Sequence, residues 1–168
     1  MDHSADLALV FEPVRLSEFE TLLAVRQPIH ALMPKGHPLA QAGPIRLRDC
    51  LRYPIAMPTH LYGVRSVLDR AVLRSSIKLQ PVIESDSFEF LRHYARQDNT
   101  ISFQIPIGIS SGGKAGDDVS RPIDHRDVPP GILYLGQLRG RSLPIAVSRF
   151  ADQVASALAR MFEEAQPR

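Results

Sequence analysis

The residues best spaced for chemistry lie between positions 108 and 125. Gly108-Ile109-Ser110-Ser111-Gly112 matches G-x-S-x-G, the strained strand-to-helix turn that exposes a nucleophilic serine, and Asp124-His125 follow in the order such hydrolases use. That elbow needs a helix directly after it. Here Gly113, Gly116, Asp117 and Asp118 follow, which are poor helix formers and good turn residues. The same stretch fills the first seven positions of a phosphate-binding G-x-x-x-x-G-K loop, but the eighth is Ala115, which has no hydroxyl for magnesium. Both matches are expected to be a solvated Gly/Ser loop, with no catalytic residue in it.

The six histidines, His3, His30, His37, His60, His93 and His125, show no i, i+4 pair and no carboxylate at ligand spacing, so no metal site and no cofactor is expected. Thr59-His60 stand out because they precede an amphipathic run. A hydroxyl and an imidazole at a helix start suit an anionic ligand, while the plainer role for Thr59 is to cap that helix.

The elements that would position these groups alternate between strand and helix. Residues 6–11 form a nearly continuous apolar run, expected as a strand covered on both faces. Residues 22–26 and 29–33 are further strands, and Pro34-Lys35-Gly36 then takes the chain out of its sheet into a crossing connection. A short helix at 47–51 and a strand at 54–58 follow. In residues 61–73 the period changes to 3.6, with Leu61, Val64, Leu68, Ala71 and Val72 on one face. A strand at 81–84 leads to Ser85-Asp86-Ser87 with Glu89 behind it, an N-cap with a partial capping box that opens a helix reaching about residue 96, and then to a strand at 101–105. Strands at 119–123 and 131–138 precede a final helix at 143–164, striped by Val147, Phe150, Val154, Leu158 and Met161.

Composition limits the function classes. The 168 residues are 44% hydrophobic, enough for a core, and 20 basic against 18 acidic residues leave a net charge of only +2. The basic residues form no stripe of the kind that binds nucleic acid. Cys50 is the only cysteine, so no internal disulfide is possible and a reducing compartment is the default. With no apolar run of bilayer length and no signal-like start, the expected location is cytoplasmic.

The order of these pieces carries a resemblance. Asp6 through Phe11, His37-Pro38-Leu39-Ala40, the strand at 54–58 with the helix bearing Arg65, Glu84-Ser85 before a helix, Ile101 before a loop, and Gly140-Arg141-Ser142-Leu143-Pro144 with Phe150 together resemble the effector-binding domain of LysR-type transcriptional regulators. The resemblance covers nearly the whole chain, beginning at the third strand of that domain's first lobe. It implies an α/β, periplasmic-binding-protein-like (type II) fold, with two α/β lobes joined by two crossing strands. The first lobe would be incomplete, comprising residues 1–34 plus 119–168, and the second would be residues 35–118. Where the family has a glycine pair before the Ile101 strand, this chain has Asp98-Asn99-Thr100, and Asn tolerates positive φ.

Function follows from the same resemblance: a non-enzymatic sensor that binds a small molecule between its lobes and controls DNA binding by a domain absent from this chain. The alternatives are a free-standing solute-binding module and, behind it, a serine hydrolase. The ligand-binding residues implied are Phe11 and Glu12, Thr59, His60 and Arg65, and Ser102, Phe103 and Gln104. Thr59 and His60 would hold polar or anionic atoms, Phe103 an apolar body and Gln104 a neutral group. Glu12 would favour a cationic effector or pair with Arg65. The expected partners are a small-molecule effector, possibly a carboxylate, and a second copy of the chain in a homodimer, with no membrane.

Overall fold

Proline marks both places where the chain passes between its two structural units, at Gln27-Pro28 and at Pro130-Gly131. A computed structural model describes residues 5–13, 17–41, 43–74, 78–96, 99–109 and 118–162. One unit spans Met1–Gln27 with Gly131–Arg168, the other Pro28–Pro130. The loop residues that carry the G-x-S-x-G and G-x-x-x-x-G-K matches, 110–117, lie outside the described residues.

In the first unit, β1 (Ala8–Phe11), β2 (Phe19–Gln27) and β8 (Gly131–Leu138) form an antiparallel sheet in the order β1-β8-β2. The run at residues 6–11 is therefore an edge strand. It is half-buried, with Leu9 44% exposed, not covered on both faces as its continuous apolar character predicts. Two glycines set the fit of β8. A Cβ on Gly131 would overlap the Phe11 ring, and one on Gly136 would overlap both the Glu20 carbonyl oxygen and the Phe19 ring, beside the bulge between Thr21 and Leu23. Ala24, Ile132, Tyr134 and Phe19 pack together, and α4 (Ile145–Met161) lies on β2. Ala151 and Leu158 form its buried face, flanked by half-buried Val147 and Val154, whereas Phe150 and Met161, expected in that stripe, are exposed.

The second unit is built on a five-stranded sheet in the order β5-β4-β6-β3-β7. Its strands are β3 (His30–Pro34), β4 (Ile55–Pro58), β5 (Ile83–Ser85), β6 (Ile101–Gln104) and β7 (Asp118–Pro122). β4, β5 and β6 run parallel, while β3 pairs antiparallel with β6 and β7. That pairing moves the unit boundaries outward from residues 34/35 and 118/119: β3 and β7 hydrogen-bond to the second sheet, and the chain changes unit at the prolines beyond them.

The helices are α1 (Leu47–Cys50), α2 (Gly63–Leu73) and α3 (Phe88–Tyr94), with a 3-10 turn at Pro106–Gly108. Ser87 accepts a hydrogen bond from the Phe90 amide, as an N-cap should. Asn99 adopts φ +54, the left-handed conformation expected where the family has glycine. Ile29, Leu32, Met33, Met57, Leu68, Leu91, Ile101 and Phe103 are fully buried in this unit. No helix among the described residues is long and apolar enough to cross a membrane.

The glycine at the bulge yields a direct test. Gly136→Ala should lose about 1–3 kcal/mol in chemical denaturation, because its methyl meets backbone that cannot move aside easily. Gly36→Ala, with nothing within 4 Å of the added carbon, should stay within about 0.5 kcal/mol of the parent. Equal effects would mean that the close approach of β2 and β8 is not a constraint.

Candidate functional site

Three parallel strands of the second unit end on the same side of the sheet, and loops leading to α2, α3 and the 3-10 turn begin there. In open α/β sheets this carboxyl edge is where ligands collect. Thr59 follows β4, and its amide donates to the Ser85 carbonyl at 3.2 Å, tying the ends of β4 and β5 together. Its carbonyl accepts the Tyr62 amide at 3.2 Å in a turn, so α2 begins only at Gly63, with Tyr62 as its N-cap. The helix was expected from residue 61, with Thr59 capping it. Instead Leu61 is 89% exposed on that turn, and the Thr59 hydroxyl oxygen is buried with no hydrogen-bond partner.

Arg65, one turn into α2, is 6% exposed, and its guanidinium is paired from within the unit through Nε and Nη1. It donates to Glu84 Oε1 at 2.6 Å, to the Pro58 carbonyl at 3.3 Å and to both Asp69 oxygens at 3.0 and 3.2 Å. Burial alone would lower its pKa, but the hydrogen bonds from Glu84 and Asp69 outweigh burial and raise it. His60 is exposed, with Nδ1 3.5 Å from Asp69 Oδ2. Arg65 thus joins the end of β4, the body of α2 and β5.

On β6, Ser102 is fully buried and its hydroxyl has no hydrogen-bond partner. Phe103 is fully buried and is the largest side chain of the core, so a ligand would reach it only through a rearrangement. Gln104 donates from Nε2 to the Phe88 carbonyl at 3.1 Å, which fixes its amide against the start of α3. Sequence reasoning missed Tyr62, whose hydroxyl donates to the Asp86 carbonyl at 2.7 Å while its ring meets Phe88 edge-on at 5.0 Å. An aromatic residue beside glycine, just before an amphipathic run, was the available signal.

Phe11 and Glu12 belong to the first unit. The Phe11 ring lies against Gly131. Glu12 has φ +47, rare for a residue with a side chain, and it is held there reciprocally: its amide donates to the Ile132 carbonyl at 3.0 Å and its Oε1 accepts the Ile132 amide at 2.8 Å. The structure therefore gathers Thr59, His60 and Arg65 at one strand end, sets Ser102 and Gln104 on the adjacent strand, and places Phe11 and Glu12 at the end of β1 in the other unit.

The hydrolase reading fares differently. Asp124 is bonded through both oxygens to the Arg126 guanidinium, which holds its carboxyl well below the usual range, and His125 is exposed. The hydrogen bonds of that carboxylate go to the arginine, and His125 Nδ1 lies 3.8 Å from Asp124 Oδ1. Among the described residues no cluster of metal-binding side chains is present.

Comparison with known proteins adds the rest. The family model described as the LysR substrate binding domain matches residues 1–159. Among solved structures, the Synechocystis PCC6803 CcmR regulatory domain in complex with 2-PG is 20% identical with a TM-score of 0.77, covering 94% of this chain and 76% of that one. The effector-binding domain of QuiR in complex with shikimate is 19% identical, with a TM-score of 0.74 and coverage of 94% and 73%. HinK, a LysR family transcriptional regulator from Pseudomonas aeruginosa, is 22% identical, with a TM-score of 0.75, and this chain covers 54% of its length. No curated protein matches the sequence.

The Arg65 cluster makes a measurable claim about the site. A double-mutant cycle with Arg65→Ala and Glu84→Ala should give a coupling of about 1–2 kcal/mol in denaturation, since the 2.6 Å bond has one buried and one half-exposed partner. Coupling near zero would show that solvent screens the pair and that β5 is held by other means.

Proposed function

Since the chain belongs to the LysR substrate-binding-domain family, with its α/β, type II periplasmic-binding-protein-like fold, we propose that it is the ligand-sensing part of a cytoplasmic transcriptional regulator. It would bind a small-molecule effector, and the response would pass to DNA through a domain outside these 168 residues. The family is one of regulatory effector-binding domains, and the proposed role needs no catalytic step. The observation that carries the reading is the Thr59 hydroxyl, buried without a partner at the carboxyl edge of a parallel sheet. Buried polar groups are nearly always satisfied, and one left open at such an edge is suited to a ligand atom.

Chemistry narrows the effector class. Thr59 offers a hydroxyl and His60 an imidazole, while Arg65 serves the site indirectly, by fixing the backbone at Pro58 through its carbonyl. QuiR was solved with shikimate, a hydroxylated carboxylate, and the same class suits these groups. Glu12, in the first unit, is held in a strained conformation of the kind that persists at functional positions.

A thermal-shift screen of small hydroxylated and aromatic carboxylates tests this. A true ligand at 100 times its Kd stabilises by about 2.7 kcal/mol. Thr59→Val and His60→Ala should each weaken the best hit, and Glu12→Gln should not. A hit that ignores both changes but disappears with Glu12→Gln would make the effector a cation and overturn the charge assignment.

The domain would also pair with a second copy, as LysR effector domains are expected to do. β1 and β2 are both edges of the first unit's described sheet, and Leu9, Leu22, Phe150 and Met161 are exposed in that unit, so unpaired backbone and apolar surface are available for association. Multi-angle light scattering should find dimers or larger species, and a monomer at high concentration would refute self-association.

A further inference from the structure

The second unit contains a cavity of about 370 Å³ that lies away from the Thr59 edge, where the C-terminal end of α2 meets α1 and the segment after β7. Arg46, Arg48, Arg74 and Arg126 line it with a single carboxylate, Asp127. Leu47, Ala71 and Pro129 complete the wall. A volume of this size lies within the range of small-ligand sites.

Four guanidinium groups around one cavity repel one another unless anions stand between them, and the fold supplies only part of that compensation. Arg46 is clamped by both oxygens of Asp127, at 2.8 and 2.6 Å, and Asp127 Oδ2 also accepts the Leu47 amide at 2.9 Å. Arg126 is clamped by Asp124. Among the described residues Arg48 makes no such bond: it lies 4.0 Å from Asp49, which Arg52 shares. Arg74 makes no carboxylate clamp among the described residues. The charges of Arg46 and Arg126 also oppose each other across the site. Two arginines are thus held rigid by their aspartates, while two more bring positive charge that nothing comparable neutralises.

We propose that this cavity is a binding site for a phosphate group, carried by a small phosphomonoester or present as the free ion. Planar guanidinium forks match the tetrahedral oxyanion with paired, charge-assisted hydrogen bonds, and rigid pre-placement of Arg46 and Arg126 reduces the entropy lost on binding. The way Asp127 is held, between a guanidinium and a backbone amide, shows that this wall already accepts an oxyanion. The carbonyls at the end of α2 oppose an anion, and Arg74, the C-cap residue there, offsets them. Pro129 on the wall lies two residues before Gly131, where the chain returns to the first unit, so a bound anion would bear on the segment that joins the units.

Isothermal titration of the 168-residue protein with inorganic phosphate and with glycerol 3-phosphate, at constant ionic strength, tests the proposal. Saturable binding of at least one probe is expected, weakened about tenfold or more in Arg48→Ala/Arg74→Ala. These two side chains hold no structural clamp, so the double variant should keep the parent melting temperature. Arg149→Ala/Arg160→Ala, which removes two arginines of α4 in the first unit, should bind like the parent, and so should Thr59→Val. Tighter binding of the ester would identify a phosphomonoester as the ligand, and binding of inorganic phosphate alone the free ion. Absence of saturable binding, full affinity in Arg48→Ala/Arg74→Ala, or loss of binding in Thr59→Val would overturn the proposal, the last by moving the anion to the effector edge.

Discussion

A buried guanidinium cannot remain unpaired, and Arg65 is the group around which the second unit's strand ends are organised. Leaving such a charge without partners costs several kcal/mol, so the fold must bring acceptors to it. Asp69 comes from the next turn of α2, Glu84 from β5 and a carbonyl from the end of β4. Three elements distant in sequence are thereby fixed at one point. The position of Thr59, one residue beyond Pro58, follows from that constraint, as does the 3.2 Å bond between its amide and Ser85. Arg65 thus sets the geometry of the strand ends, while the Thr59 hydroxyl lies buried without a partner and His60 is exposed.

The first unit solves a different problem, that of holding a central strand against two edges with little bulk. β8 carries glycine at the start of its buried run and one residue before its end, and each is where a neighbour comes close: Phe11 over Gly131, and Glu20 with Phe19 over Gly136. The reciprocal bonds between Glu12 and Ile132 close the end of β1 onto the same strand. A side chain with candidate ligand chemistry is thus part of the sheet's closure, and its left-handed backbone is accompanied by two hydrogen bonds to Ile132.

Arginine plays two parts in the second unit, and burial separates them. Arg65 is enclosed and hydrogen-bonded to two carboxylates and a carbonyl, and so it belongs to the architecture. Arg48 is two-thirds exposed and lacks any bidentate carboxylate, although it shares a cavity with Arg46 and Arg126, which have one each. A net charge of +2 conceals this local surplus, because the acidic residues that balance it are placed elsewhere.

Local signals in the sequence determine much of the fold. The 3.6-residue period of α2 and α4, the Ser87 cap, the tolerance of Asn99 for positive φ and the apolar strands on either side of the glycine-rich loop depend on neighbours within a few residues, and the chain itself supplies those. The ordered series of motifs also points to the family. What the sequence could not decide is where a side chain finds its partners across the chain. Arg65 sits on the polar side of the helical period yet is buried, because Glu84, nineteen positions away, neutralises it. Leu61 has an apolar side chain yet is exposed, because the turn that closes between Thr59 and Tyr62 delays the helix. The strand ladders place β3 and β7 in the second sheet, and Asp124 is clamped by Arg126. These outcomes depend on tertiary pairing and burial, whose energies exist only once the segments of the chain are brought together.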